Sequence, residues 1–245
     1  MKCSVIIPYR KRRVGIDHIN NCLEYAVRME EATEIIVVNN DTQPAEITVD
    51  DGRIRTIDIY CKAWNSGWAR NVGLTAAKHP IIATIDADVI VHPRYLTVAL
   101  PLVQDRKMMY VASLMKTEKG EDAVQDVLSQ ENWNGKMKLC TPYRYAQGLI
   151  VVQKQYAMQI HGWNEMMFGW GKIDNSMVAR LRSQKVKVSR GTRADNTPIH
   201  LWHEKVHDDE YPRRPLENRQ LSSKYKEPKF WGQQDKPYSL AETQE

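Results

Sequence analysis

The sequence predicts an α/β fold: one domain with a mostly parallel central sheet flanked by helices. Three observations carry this. Apolar runs of strand length alternate with segments of helical periodicity, the order that βαβ units produce. The runs Cys3 to Ile7, Glu34 to Val38 and Ile81 to Ile85 are apolar on both faces, as in strands covered by helices on both sides. The 245 residues fit one large domain, and a domain of that size buries roughly 70% or more of its unfolded surface.

Each element has its own local reason. Cys3 to Ile7 (CSVII) is a buried strand, closed by Pro8. Ile16, Ile19, Leu23, Ala26 and Val27 recur at helical spacing and give an amphipathic first helix. Glu34 to Val38 (EIIVV) is the second strand, followed by the turn-forming Asn39-Asn40-Asp41-Thr42. Ile54 to Ile59 is the third strand, Gly67 to Ala77 a helix, and Ile81 to Ile85 the fourth strand. Pro93 opens a helix to about Val103, since proline suits the first helical position. Met108 to Ser113 returns as a strand.

Beyond residue 115 the pattern weakens. Lys116 to Lys138 is polar and is expected to contain a helix bordering a cleft. Gly148 to Val152 reads as a strand, and Lys172 to Ser183 as a helix bearing Met177, Val178 and Leu181. From Pro212 onward charge, Pro and Gln dominate, so 212–245 is expected to be a peripheral, partly mobile tail on a domain spanning 1–211.

Bulk properties exclude several classes. No window approaches 18 uninterrupted apolar residues, so no membrane span is expected. Met1-Lys2 leads straight into a strand, which leaves no room for a signal peptide. Cys3, Cys22, Cys61 and Cys140 lack paired spacing, so reduced thiols and a cytoplasmic location are expected. The net charge of +5 is modest and lies largely in Arg10-Lys11-Arg12-Arg13 and near Arg213-Arg214. The first run follows strand one and lies at the sheet edge where α/β proteins bind ligands, so it suits a phosphate-bearing substrate better than nucleic acid.

Asp86-Ala87-Asp88 follows the fourth strand directly. Two carboxylates at i and i+2 can face one cleft and hold a hard cation, Mn²⁺ or Mg²⁺, with positions left for phosphate oxygens. The strand-one exit, Ile6-Ile7-Pro8-Tyr9-Arg10-Lys11-Arg12, contains no glycine, which argues against a P-loop or dinucleotide fingerprint. Arg10 and Arg12 would offer planar forks to a diphosphate or a base edge. In Trp64 to Gly73 (WNSGWARNVG), Asn65 or Ser66 can cap a helix whose N-terminus favours anions, with Arg70 and Asn71 one turn in. Gly162 to Asp174 (GWNEMMFGWGKID) alternates glycines with aromatics, as in a mobile loop closing over a sugar ring. Asp174, at the start of the next helix, can accept a proton from a hydroxyl. His200-Leu201-Trp202-His203 carries imidazoles that can complete a metal shell begun by Asp88; a separate zinc site has no cysteine or HExxH support.

In this order the segments resemble the GT-A glycosyltransferases: the β-1,4-galactosyltransferase type, the related inverting family-two enzymes and the polypeptide N-acetylgalactosaminyltransferases. The resemblance rests on IIPYRKR, WNSGWARNVG, DAD after a strand, FGWGKID followed by Ala179-Arg180-Leu181, and HLWH, over roughly residues 3 to 205. It implies a GT-A domain, with about 1–113 binding the nucleotide sugar and about 114–211 serving the acceptor and catalysis. Pro8, Arg10 and Arg12 would border the nucleotide, with Asn39 a base-binding candidate where many relatives have Asp. Asn65, Arg70 and Asn71 would line the donor pocket. Asp86 would touch the ribose or metal shell, Asp88 would ligate the metal, and His200, or alternatively His203, would be a further ligand. Trp170 would sit against sugar and phosphate, and Asp174 would be the catalytic base. The chain departs from the galactosyltransferases at Ile173, Asn175 and Ser176, where they carry acids.

The resemblance thus implies metal-dependent transfer of a hexose or N-acetylhexosamine from a nucleoside diphosphate sugar, UDP-linked, to a glycan, lipid-linked glycan or protein acceptor, with inversion. The competing readings are a retaining enzyme of the same fold, a sugar-nucleotide nucleotidyltransferase and a non-catalytic binding module.

Overall fold

A computed structural model describes residues 1–11, 16–60, 63–143, 148–191, 196–204, 214–222 and 231–234. In chain order the elements begin β1 (Cys3–Tyr9), α1 (His18–Ala26), β2 (Ala32–Asn40), β3 (Ile54–Ile59), α2 (Ser66–Ala76) and β4 (Ile81–Thr84). Next come β5 (Val89–Ile90), α3 (Tyr95–Val103), β6 (Met108–Val111), β7 (Leu114–Thr117), α4 (Glu121–Ser129) and α5 (Trp133–Lys138). The chain continues through β8 (Cys140–Tyr143), β9 (Ile150–Gln153), α6 (Lys154–Gln159), α7 (Ile173–Ser183), β10 (Lys187–Arg190), β11 (Ile199–His200) and α8 (Pro215–Ser222).

Seven strands form the central sheet in the order β10-β6-β9-β4-β1-β2-β3. All neighbours run parallel except β9, which is antiparallel to both β4 and β6. The mostly parallel sheet expected from the sequence is therefore present. Its strands alternate between two cores: Cys3, Val5 and Ile7 of β1 pack with residues of α1 and α3, while Ile6 packs with Val72 and Leu74 of α2 and with Met177 and Leu181 of α7. Each such buried aliphatic side chain contributes about 1.5–3 kcal/mol. Gly73 allows α2 to lie close on the sheet, because a Cβ there would fall 2.4 Å from Ile6 Cγ2.

A second, four-stranded sheet in the order β5-β11-β7-β8 was not anticipated. The polar stretch expected to hold one helix contributes the end of β7 and two helices, α4 and α5. Part of the expected tail packs on the body. Asn218 Nδ2 donates to the carbonyls of Phe168 and Gly171 at 2.9 Å, and Gly232 N–H donates to Glu165 Oε1 at 2.8 Å. Cys3, Cys22 and Cys140 are free and buried, and burial raises each thiol's pKa; Cys61 lies outside the described residues. Among the described residues, no helix is long and apolar enough to cross a membrane.

Glu34, on β2, ties the neighbouring strands β1 and β3 together. Its carboxylate accepts from Ser4 Oγ of β1 at 2.6 Å, from Lys78 N–H at 2.8 Å, and from Arg55 Nε and Nη2 of β3 at 3.1 and 3.0 Å. Burial alone would raise its pKa, but those donors outweigh burial and hold it below the ordinary 4.5. A depressed folded value means the stabilisation is complete above 4.5 and fades as pH falls through the folded value. Glu34→Gln should cost about 1–3 kcal/mol in urea unfolding at pH 7, and the difference from the parent chain should shrink as pH drops below 4.5. A gap that stays constant into acid would contradict this role.

Candidate active site

The site lies at the carboxyl edge of β4, where sheet geometry rather than sequence proximity brings its side chains together. Asp86 to Asp88 turn the chain from β4 into β5, with Val89 N–H bonded to the Asp86 carbonyl at 3.0 Å. Strand β11 runs between β5 and β7, pairing His200 with Val89 on one side and with Lys116 on the other. Leu201 N–H then closes on the Asp88 carbonyl at 2.8 Å. That pairing puts Nε2 of His200 3.6 Å and Nε2 of His203 3.3 Å from Asp88 Oδ2. The three ligand atoms lie within 4.8 Å of one another, a group that could hold a metal ion. Both histidines lie in this group. The Tyr143 ring stacks on His200 with centroids 6.2 Å apart, and His18 meets His203 edge-on at 5.9 Å.

Asp86 lies outside that group and faces a cation instead. Arg70, on α2 and almost fully buried, donates from Nη2 to Asp86 Oδ1, and its Nη1 lies 3.6 Å from Asp174 Oδ1. One guanidinium thus bridges carboxylates from the β4–β5 turn and from α7. A buried charge persists only when paired, and here the two aspartates outweigh desolvation, so the Arg70 pKa is raised. Desolvation and the neighbouring Asp88 and Asp174 charges push Asp86 up to about 6, against the pull of Arg70. Gly148 leaves the room this carboxylate occupies, since a Cβ there would stand 2.5 Å from Asp86 Oδ2.

Asp174 sits in the first turn of α7. It does not cap the helix; Oδ1 instead accepts from Trp163 Nε1 at 3.1 Å and faces Arg70. Oδ2 has no hydrogen-bond partner among the described residues. The side chain is 27% exposed, so a ligand can reach it.

The remaining expected site residues fall elsewhere or in supporting positions. Arg10 is buried, and its Nη1 donates to the Asn40 carbonyl at 3.3 Å; Pro8 is buried within β1, and Arg12 lies outside the described residues. Asn39, also buried, gives its amide N–H groups to the Gln43 carbonyl and to Asp58 Oδ1, both at 2.7 Å. That leaves Oδ1 of Asn39 without a protein partner among the described residues. Asn65 caps α2 through Trp68 N–H at 2.9 Å and reaches the Glu165 carbonyl at 2.9 Å. Asn71 is wholly buried, and its amide clamps Trp163 N–H and C=O at 2.8 Å each. Neither asparagine faces the cleft; both hold the 162–171 segment. That segment is pinned along its length rather than hanging free: Gly169 N–H bonds the Trp64 carbonyl at 2.7 Å, and Asn218 holds the carbonyls of Phe168 and Gly171. Trp170 is 57% exposed. Sequence reading missed Gly148, Trp163 and Tyr143. Only Gly148, the glycine opening a strand beside β4, carried a signal that could have found it.

The profile described as glycosyl transferase family 2 matches residues 4–159, well over half of the chain. The chain belongs to glycosyl transferase family 2. A second profile, described as the N-terminal domain of galactosyltransferase, matches residues 135–204, the stretch that supplies Trp163, Asp174, His200 and His203 to this glycosyltransferase. No curated protein matches it. Many solved structures share its fold, two of which follow. GalNAc-T7 with UDP, GalNAc and Mn²⁺ superposes with a TM-score of 0.60 at 14% identity, over 82% of this chain and 44% of that one. The catalytic domain of Drosophila β1,4-galactosyltransferase 7, in complex with xylobiose, gives a TM-score of 0.55 at 17% identity, over 91% of this chain and 79% of that one. The family 2 chain thus has the GT-A fold and spans less than half of GalNAc-T7. Family membership favours glycosyl transfer over the nucleotidyltransferase and binding-module readings.

Gly148→Ala tests the packing around Asp86. The added methyl group must displace that carboxylate from Arg70, so sugar-nucleotide turnover should fall about 10²-fold, in line with the cost of misplacing a reacting group by about 1 Å. The helical circular-dichroism signal should be retained. Unchanged turnover would show that the Asp86 position is not required.

Proposed function

We propose that this glycosyltransferase moves a hexose or N-acetylhexosamine from a UDP-linked donor to an acceptor hydroxyl, with inversion and with Mn²⁺ bound at Asp88, His200 and His203. The observation that carries this reading is the convergence, at one strand edge, of that three-residue group with the Arg70-bridged Asp86 and Asp174. One carboxylate oxygen and two imidazole nitrogens suit Mn²⁺ better than Mg²⁺, which favours oxygen ligands. UDP and Mn²⁺ in the GalNAc-T7 structure agree with it. The bound cation would supply Lewis-acid stabilisation of the departing diphosphate.

The chain's own residues account for the other steps. Arg70, and Arg10 at the exit of β1, would offset phosphate charge, while Asp86 would meet the ribose or the metal shell. Asn39, through its Oδ1, would accept from the imide N–H of uracil. Trp170 would present its ring face to the apolar side of the donor sugar. Asp174 Oδ2 would take the acceptor hydroxyl's proton as that oxygen bonds to the anomeric carbon; the anomeric C–O bond breaks opposite, and its electron pair leaves with UDP. The acceptor would be a glycan, a lipid-linked glycan or a protein hydroxyl. Residues 1–211 would form the catalytic domain, with 212–245 an appended segment.

A panel decides the matter. UDP-galactose, UDP-N-acetylgalactosamine, UDP-glucose and GDP-mannose are tested with and without Mn²⁺, by thermal shift and by nucleotide release onto N-acetylglucosamine, xylobiose and a serine/threonine peptide. A UDP-sugar should raise the melting temperature in Mn²⁺ and not in EDTA; saturation to about 100 Kd corresponds to about 2.7 kcal/mol. Asp174→Asn should lower kcat about 10²–10⁴-fold with donor affinity retained, and the fresh product should show an inverted anomeric proton by NMR. Full turnover of the variant would remove Asp174 from the base role, and retention in the product would contradict inversion.

A further inference from the structure

The base reading of Asp174 leaves open what aims its carboxylate. An aspartate in a helix's first turn ordinarily turns back to accept from the free backbone N–H groups there. Asp174 does not: Lys172 occupies the cap position in the left-handed region, at φ 64°, and no side chain caps α7. The carboxylate is drawn toward the indole of Trp163, whose Nε1 donates to Oδ1 at 3.1 Å.

Trp163 is built to hold still. It is fully buried, and its backbone N–H and C=O are both taken by the Asn71 amide at 2.8 Å. Arg180, on the same helix as Asp174, donates from Nη1 to the Ile160 carbonyl at 2.6 Å and from Nη2 to the Gly162 carbonyl, fixing the turn into Trp163. That turn needs glycine at 162, where φ is +54° and a Cβ would fall 2.0 Å from Asn71 Oδ1. Arg70 lies over the indole ring, with its Cζ 5.8 Å from the centroid.

We propose that Trp163 is the positioning residue of this site: its indole N–H fixes Oδ1 of Asp174 so that Oδ2 is presented to the acceptor hydroxyl. This rests on Asp174 acting as the base. Asn71, Arg180 and Gly162 serve the same end one step further back, by setting the indole. The Asn71 and Gly162 positions thereby acquire a role in transfer without touching substrate.

Trp163→Phe keeps an aromatic ring in the buried site and removes the N–H. With Mn²⁺, UDP-galactose or UDP-N-acetylgalactosamine, and N-acetylglucosamine or xylobiose, kcat should fall about 10–10²-fold, the scale of a misaimed reacting group. The donor KM should stay within about twofold. Adding Trp163→Phe to Asp174→Asn should cause no further loss, because groups that act as one unit are not additive. In a ¹H–¹⁵N spectrum, the indole resonance that Trp163→Phe abolishes should shift in Asp174→Asn. Should Trp163→Phe not fold, β-(3-benzothienyl)alanine at position 163 preserves the indole's volume without the donor and must show the same kcat loss. Unchanged kcat in the folded variant, or an indole resonance indifferent to Asp174, overturns the proposal while leaving the base reading intact. Full turnover of Asp174→Asn alone would instead sink the base reading itself.

Discussion

The pairing of two-residue β11 between β5 and β7 is the constraint on which the site depends. Histidines 200 and 203 are remote in sequence from Asp88, and no helix or loop joins them. Registry does: His200 stands opposite Val89, the residue after Asp88, and the Leu201 N–H closes on the Asp88 carbonyl. A slip of one residue would turn the strand's side chains to the other face and take His200 away from Asp88. The small sheet thus brings together three side chains that could hold a metal ion.

A second constraint joins the two halves of the chain. Arg70 is buried between Asp86, in the β4–β5 turn, and Asp174, on α7. A buried guanidinium without partners would cost several kcal/mol, so folding favours the arrangement in which both carboxylates approach it. Together with the Trp163 N–H, Arg70 holds Asp174 away from its own helix end, which is where an unassisted aspartate would turn.

Much of the central sheet was legible because its strands are long, apolar and bounded by turn residues: Cys3 to Ile7 and Ile54 to Ile59 fall within or match the observed strands. The second sheet was not, because β5 and β11 have two residues each and β8 reads Cys-Thr-Pro-Tyr. Elements that short carry no periodicity and exist by virtue of their neighbours. Among the polar residues, Asp86, Asp88, Asp174 and the histidines have common structural uses taken singly, and could be singled out because their segments occur together in one order. Asn65 and Asn71 were harder. Amides bind backbone as readily as ligand, and burial decided which: both point into the protein and support the 162–171 segment. Gly73 in the same motif likewise answers to the close packing of α2 on Ile6. Trp163 as the partner of Asp174 was invisible, since nothing in the spacing says which way an indole N–H points.

Anomalous diffraction at the manganese edge, on crystals grown with Mn²⁺ and UDP, would locate the metal. One strong peak is expected within bonding distance of Asp88 Oδ2 and of Nε2 of both His200 and His203, with the diphosphate on its open side. A peak elsewhere, or clear UDP density with no metal beside Asp88, would contradict that expectation.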